Sequence, residues 1–267
     1  MDKISGKEVI ELDLSLLGKS KNAQVTLFVI LSLLLVVAIG ILFYYWRPGI
    51  LFQDDLQPRL ESCISSSIDE NVKALALNAG VLEPRFSYIY DGKNHTYLCY
   101  TEDLYRPCVN QEPMISRVFE DSLVVLLEEE FQDCYDSSFA DLRRRGYDVD
   151  QGEATFNLSI DPQGISIIID APMTVSTEDT SVRTQRYSYV HSTNLYELLM
   201  VATSLVQFET FYGDSEQTIQ MRLYPDIHID KRRQGDQTKV YILTERNENI
   251  EYRFAVRSFP RPVGGLV

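Results

Sequence analysis

The chain has 267 residues, 45% of them hydrophobic and 24% charged, which is enough apolar content for a folded core and excludes a disordered stalk. Asp and Glu number 39 against 25 Lys and Arg, so the formal net charge is −14 at pH 7. An acidic surface of this kind repels polyanions, and we therefore expect no nucleic-acid partner.

An uninterrupted apolar run covers residues 25–46 and contains no charged side chain. A helix of about 20 apolar residues is long enough to cross a bilayer. The run ends in Tyr44, Tyr45 and Trp46, which is typical of an aromatic belt at a membrane interface and not of a signal-peptide cleavage site. We therefore predict one transmembrane helix over residues 25–46, with the lipid bilayer as its partner.

The charges that flank this run predict its orientation. Lys19 and Lys21 precede it, whereas the single basic residue Arg47 follows it. Because basic residues concentrate on the cytoplasmic side, we expect a single-pass protein of the cell membrane with a cytoplasmic N-terminus and an extracytoplasmic domain. On this interpretation residues 1–24 form a cytoplasmic tail or leader, and residues 47–55 form a linker.

Residues 56–257 have the pattern of an α+β domain, followed by a flexible tail over residues 258–267. Three stretches carry apolar residues at helical spacing: the first ends at Gly80, the second begins after Pro113, and the third begins after Asn194. Each stretch keeps its charged residues mainly on the other side, so we expect amphipathic helices packed on a common core.

Alternation with a period of two predicts antiparallel strands between and after these helices. Asp91-Gly92 is a turn signal between two short apolar runs. A meander is predicted from residue 152 to residue 190, and a second hairpin surrounds residues 247–249. The order of elements lacks the regular strand–helix–strand alternation of a nucleotide-binding sheet, so the predicted fold class is α+β with antiparallel hairpins.

All four cysteines follow the apolar run, which suits disulfide bonds in an oxidising compartment. Three pairings are open, and four buried thiols are the alternative. We favour Cys99–Cys108, whose residues are close in sequence. We also favour Cys63–Cys134, because antiparallel packing of the first two helices of the domain brings those two sulfurs together.

The sequence contains none of the HExxH, GxSxG, P-loop or GxGxxG motifs. The stretch that most resembles a functional site is Asp226-Ile227-His228-Ile229-Asp230. In a strand Asp226, His228 and Asp230 share one face, and an imidazole between carboxylates is suited to a metal ion. A solvated strand face with Ile227 and Ile229 buried is the simpler interpretation, so we predict a protein that is not an enzyme and uses no cofactor.

The start of the apolar run has a recognisable pattern, Lys21-Asn22-Ala23-Gln24-Val25-Thr26-Leu27-Phe28. It resembles the class III signal of archaeal type IV pilin-like proteins, and the resemblance implies processing after Ala23, which leaves Gln24 as the first residue. The layout is also similar to that of uncharacterised single-span exported archaeal proteins, through Glu61-Ser62-Cys63-Ile64 and the late strand Tyr252-Arg253-Phe254-Ala255. No activity follows from that similarity.

Three functions are therefore weighed. The first is a membrane-anchored cell-surface protein with a non-catalytic domain that binds a partner protein or contributes to the envelope. The second is a pilin-like subunit that is processed after Ala23 and self-associates through residues 25–46. The third is an anchored extracytoplasmic hydrolase that uses acidic residues.

Overall fold

The computed structural model describes residues 21–45, 58, 61–62, 65, 67–176 and 181–260, with the backbone alone for residues 21–27, 43–45, 182 and 184–185. The chain forms two compact units, Met1–Leu51 and Phe52–Val267, and each is described by itself. Three predicted segments lie wholly or partly outside the described residues: residues 1–20 of the tail or leader predicted over 1–24, the linker over 47–55, and the last seven residues of the C-terminal tail.

The first unit contains helix α1, Lys21–Tyr45. Its described side chains, Phe28 to Leu42, are apolar or small and all exposed. Within the part of the chain that the structure describes, no helix is long and apolar enough to cross a membrane. The predicted transmembrane helix over residues 25–46 and the single-pass membrane localisation are therefore wrong.

The second unit has an α+β fold with four helices in its described part: α2 over residues 67–76, α3 Ile115–Arg144, α4 Leu195–Tyr212 and α5 Gln217–Leu223. The first helix of the domain ends at residue 76, and residues 77–80 form a turn that closes at Gly80, the predicted stop. Gly80 has a φ of 78° and its N–H donates to the carbonyl of Leu75 at 2.9 Å. A Cβ at this position would lie 2.6 Å from Phe119 Cδ2, so both the turn and the packing require glycine.

Ten strands are described in this unit: β1 Ser87–Tyr90, β2 Lys93–Tyr100, β3 Val109–Asn110, β4 Asp148–Gln151, β5 Thr155–Asp161, β6 Gly164–Ser176, β7 Ser181–His191, β8 Ile227–Arg233, β9 Thr238–Glu245 and β10 Ile250–Arg257. The first sheet has the order β1-β2-β10-β9-β8, with β3 beside β2. The predicted hairpin at Asp91-Gly92 is confirmed, since both residues have positive φ values of 50° and 68°. The pair β2 and β10 is parallel, which the sequence did not predict.

The second sheet is the predicted meander, in which β6 pairs with β4 and β5 along one edge and with β7 along the other. All of these pairs are antiparallel. Strand β6 is continuous from Gly164 to Ser176, with an irregularity in its pairing with β7 between Asp170 and Met173. Pro172 lies in that irregular segment, where a missing backbone N–H costs no regular ladder bond.

Helix α4 lies at the centre of the unit because it packs on strands of both sheets and on α3. Its inward stripe is fully buried and consists of Leu195, Leu198, Leu199, Ala202, Leu205 and Val206. Complete burial of a leucine side chain contributes about 1.5–3 kcal/mol, so this stripe is a main source of stability. Polar and charged groups lie at both ends of α4.

Candidate functional site

A buried ion pair fixes the C-terminal end of α4. The side chain of Glu209 is 0% exposed and that of Lys239, on β9, is 3% exposed. Lys239 Nζ donates to Glu209 Oε2 at 2.5 Å and to the carbonyl oxygen of Gly213 at 2.6 Å. The phenol of Tyr241 donates to the other carboxylate oxygen of Glu209. Both oxygens of the buried carboxylate are therefore satisfied, as a buried charge requires.

A second set of charges surrounds this pair through Asp214. Lys231 Nζ donates to Asp214 Oδ1 at 2.5 Å and to the carbonyl oxygen of Ser215 at 2.7 Å, and Arg233 donates to Asp214 Oδ2 at 2.9 Å. Burial acts to raise the pKa of Asp214, but the neighbouring cations Lys231, Lys239 and Arg233 outweigh it, so the pKa lies below its ordinary value.

Tyr241 stays protonated in this environment because burial, followed by the charge of Glu209, raises the pKa of its phenol. Its hydroxyl also lies 2.8 Å from Ser215 Oγ, and its ring stacks on Phe254 at 5.0 Å between centroids. We name Glu209, Asp214, Lys239 and Tyr241 the ionic cluster. The groups of this cluster bind one another, and Glu209 and Lys239 are buried, so the cluster holds the C-terminal end of α4 in place.

Gly213 determines where α4 ends above this cluster. It has a φ of 73° and its N–H donates to the carbonyl of Glu209 at 3.0 Å. A Cβ at this position would lie 2.1 Å from the carbonyl oxygen of Phe259, so a larger residue does not fit. One glycine therefore determines where the helix ends, which carbonyl Lys239 binds and where Asp214 lies.

The outer side of the same helical turns carries exposed aromatic residues. Phe211 and Tyr212 are 70% and 65% exposed, and Phe208 is exposed to a smaller degree. The ring of Phe208 stacks on that of Tyr212 with centroids 5.8 Å apart. Short helix α5 adds two exposed apolar residues, Ile219 and Leu223. We call these five residues the α4–α5 surface.

The α4–α5 surface is held by the core beneath it. Glu209 points inward from the same helical segment that presents Phe208, Phe211 and Tyr212 outward. Gln220 of α5 donates to Ser204 Oγ of α4 at 2.7 Å, which joins the two helices. Aromatic groups on a rigid helix lose little conformational entropy when a partner covers them, so this arrangement favours binding.

The candidate metal residues lie at the start of β8. Ile227 and Ile229 are buried, which confirms the simpler interpretation of a strand with one solvated face. Asp226 and His228 are exposed, and the carboxylate of Asp230 binds Arg232 at 2.6 Å. Over the described residues, no group of three or more His, Cys, Asp or Glu side chains is arranged to hold a metal ion.

The predicted disulfide between Cys99 and Cys108 is confirmed, with Cα atoms 5.4 Å apart. Cys134 is also disulfide-bonded. Its predicted partner Cys63 lies outside the described residues, so that pairing stays a prediction. The predicted processing site, Ala23 and Gln24, lies within α1, where the backbone alone is described.

The ionic cluster was not predicted from the sequence, although the sequence contains one signal for it. The inward stripe of α4 repeats at intervals of three or four residues from Leu195 to Leu205 and then places Glu209 at the next inward position. A carboxylate in register with a leucine stripe predicts a buried cation opposite it. The identity of that cation, Lys239, depends on a contact between residues 30 positions apart.

No known protein family, no curated protein and no solved structure matches this chain significantly. The resemblance to archaeal pilin-like and exported proteins therefore stays a prediction.

Proposed function

We propose that the second unit is a binding domain that docks a partner protein on the α4–α5 surface. The observation that carries the proposal is the exposed cluster of Phe208, Phe211 and Tyr212 directly outside the buried pair of Glu209 and Lys239. Binding of this kind requires no catalytic group, and it retains the predicted binding role.

The energetics favour such a role. An aromatic side chain buries roughly 150–250 Å² when it is covered, and interface hot spots are enriched in aromatic residues. Aromatic rings that stay in water do not stabilise the fold. A partner that covers three neighbouring rings gains the free energy of their burial without the entropy cost of ordering a loop.

Charge selects the class of partner. The chain has a formal net charge of −14, so two copies repel each other when they approach. A partner with apolar side chains inside a basic rim meets attraction instead, and its association rate rises at low salt. We therefore expect a basic protein and not a second copy of this chain.

Site-specific photo-cross-linking in the native cell tests the proposal. p-Benzoylphenylalanine is introduced in place of Phe211 and, as a matched control, in place of Val125, which is 61% exposed on α3. The expected result is one discrete adduct with a basic protein from position 211, and none from position 125.

Equal adduct patterns from the two positions, or no adduct from either, would contradict the proposal. An adduct with twice the mass of the chain would also contradict it, because that product contains a second copy. The association rate with the captured protein should fall steeply between 50 and 200 mM salt, as expected for opposite charges.

A further inference from the structure

A serine, a histidine and a carboxylate meet at the N-terminal side of α4, away from the ionic cluster. His191 is the last residue of β7, and its Nε2 lies 2.8 Å from Asp69 Oδ1. Its Nδ1 lies 3.4 Å from Ser65 Oγ. Ser65 and Asp69 are four residues apart in helical conformation, so they lie on one face and hold the imidazole between them.

The hydrogen-bond pattern determines where the imidazole proton is. An ionised carboxylate only accepts hydrogen bonds, so the bond to Asp69 places the proton of a neutral His191 on Nε2. The other nitrogen, Nδ1, then carries a lone pair directed at the hydroxyl of Ser65. This is the arrangement in which a histidine removes a proton from a serine and a carboxylate holds its tautomer.

His191 and Asp69 line a cleft of about 300 Å³, and Ser65 contacts Nδ1 of the same imidazole. Asp69, Lys73, His191 and Glu248 contribute to its lining. The side chain of His191 is 12% exposed, so it is accessible from the cleft but largely desolvated. Lys73 is exposed one turn beyond Asp69 and brings a positive charge to the same cleft. The oxygens of Glu248 already accept from Thr193 Oγ1 and the N–H of Asn194.

We propose that Ser65, His191 and Asp69 form a nucleophilic site that hydrolyses small carboxylic esters. Ser65 Oγ bonds to the carbonyl carbon while His191 Nδ1 takes the hydroxyl proton. The carbonyl oxygen becomes an oxyanion. Its collapse breaks the ester C–O bond, and the leaving alcohol takes the proton from His191.

The second half of the reaction uses water as the nucleophile. His191 removes a proton from the water as it adds to the acyl group on Ser65, and collapse returns that proton to Ser65 Oγ. A carboxylic acid leaves and the site is restored. The 3.4 Å separation between Ser65 and His191 suits an empty site, in which such bonds are long and tighten when substrate binds. This activity is independent of the α4–α5 surface, and it would replace the sequence-based prediction that the chain is not an enzyme.

The test is active-site labelling of the full chain with a fluorophosphonate probe, followed by peptide mass spectrometry. Labelling of Ser65 is expected in the wild type and in the control Ser188→Ala, which removes an exposed serine of β7. Ser65→Ala should lose the label, and His191→Gln should lower the labelling rate by roughly 100-fold or more, the usual contribution of a general base.

Circular dichroism and urea denaturation show whether each variant folds. Asp69→Asn is a second variant, in which the side chain keeps its shape but an amide replaces the carboxylate that binds His191. Asp69→Asn should lower the rate of p-nitrophenyl acetate hydrolysis by at least about tenfold, because the wrong tautomer of His191 is favoured. A folded wild type without label on Ser65 would overturn the proposal. The same holds for unchanged ester hydrolysis in Ser65→Ala, or for equal labelling rates in wild type and in folded His191→Gln.

Discussion

The two ends of α4 are held by charges of opposite sign. At the N-terminal end, Glu248 accepts from Thr193 Oγ1 at 2.6 Å and from the N–H of Asn194 at 2.8 Å. At the C-terminal end, Lys239 donates to Glu209 and to the carbonyl of Gly213. Both arrangements complement the helix dipole, which favours anions at the N-terminus and cations at the C-terminus.

The ends differ in access to solvent. Lys239 and Glu209 are buried and saturated by each other and by Tyr241, so the C-terminal end acts as a support for the exposed rings outside it. Glu248 borders an open cleft that also contains His191 and Asp69. The buried charges at the C-terminal end, Glu209 and Lys239, therefore contribute mainly to stability. The charge of Glu248 at the N-terminal end lies beside a cleft that has room for a ligand.

The largest effect should come from Lys239→Met. Removal of the ammonium leaves Glu209 charged and unpaired in the core, which costs about 3–5 kcal/mol of unfolding free energy. Urea denaturation measures this loss. The control Lys93→Met removes an exposed lysine at the start of β2 and should change stability by less than about 0.5 kcal/mol.

The double variant Glu209→Leu with Lys239→Met sharpens this result. Replacement of both partners by apolar groups removes the unpaired charge and should recover most of the loss. A Lys239→Met protein within about 1 kcal/mol of wild type would contradict the assignment of this end as a tightly packed ion pair.

Tyr241→Phe should have the next largest effect at the same end. It removes one donor to the buried carboxylate while keeping the ring stack on Phe254, so we expect a loss of about 2 kcal/mol. The measurement is again the urea midpoint at constant slope. An unchanged midpoint would show that the carboxylate of Glu209 finds another donor.

Glu248→Ala should cost less, about 1 kcal/mol, because it removes a cap from a helix end that water can reach. Thermal unfolding compares it with Glu153→Ala, which removes an exposed glutamate between β4 and β5 and should have no measurable effect. A cost as large as that of Lys239→Met would mean that the two ends do not differ as described.

The smallest effect concerns pH. The pKa of Asp214 is lower in the folded chain than in the unfolded chain, so its ionised form stabilises the fold above the unfolded pKa of about 3.9. That stability is lost as the pH falls below about 3.9 and through the folded pKa. Asp214→Asn should therefore lose stability at pH 7 and lose less than wild type on acidification to pH 3. Parallel pH profiles of the two proteins would contradict this role.

Local signals in the sequence predicted much of the second unit. Asp91-Gly92 fixes a hairpin through two residues with positive φ, and the alternation around Ile165 to Ile169 places one face of β6 in the core. These features depend on neighbouring residues, which is why they can be read from a single chain. The apolar run over residues 25–46 satisfied the same kind of rule, yet the membrane interpretation drawn from it was wrong.

The sites depend on distant contacts. His191 meets Ser65 and Asp69 across separations of 126 and 122 residues, and Lys239 meets Glu209 across 30. The parallel pairing of β2 with β10 brings together strands from opposite ends of the unit. Hydrophobic periodicity identifies which face of an element is buried but not which element covers it. Neither site can therefore be predicted from the sequence without the three-dimensional fold.

The most direct measurement is a second-site cross-linking experiment on the α4–α5 surface in the native cell. p-Benzoylphenylalanine replaces Leu223 on α5, and either Phe211→Asp or the control Val125→Asp is added; both changes are at exposed positions and should leave stability within about 0.5 kcal/mol. Phe211→Asp should lower the adduct yield at least about tenfold, while Val125→Asp leaves it unchanged. Equal yields from the two variants would show that no partner binds through these aromatic residues.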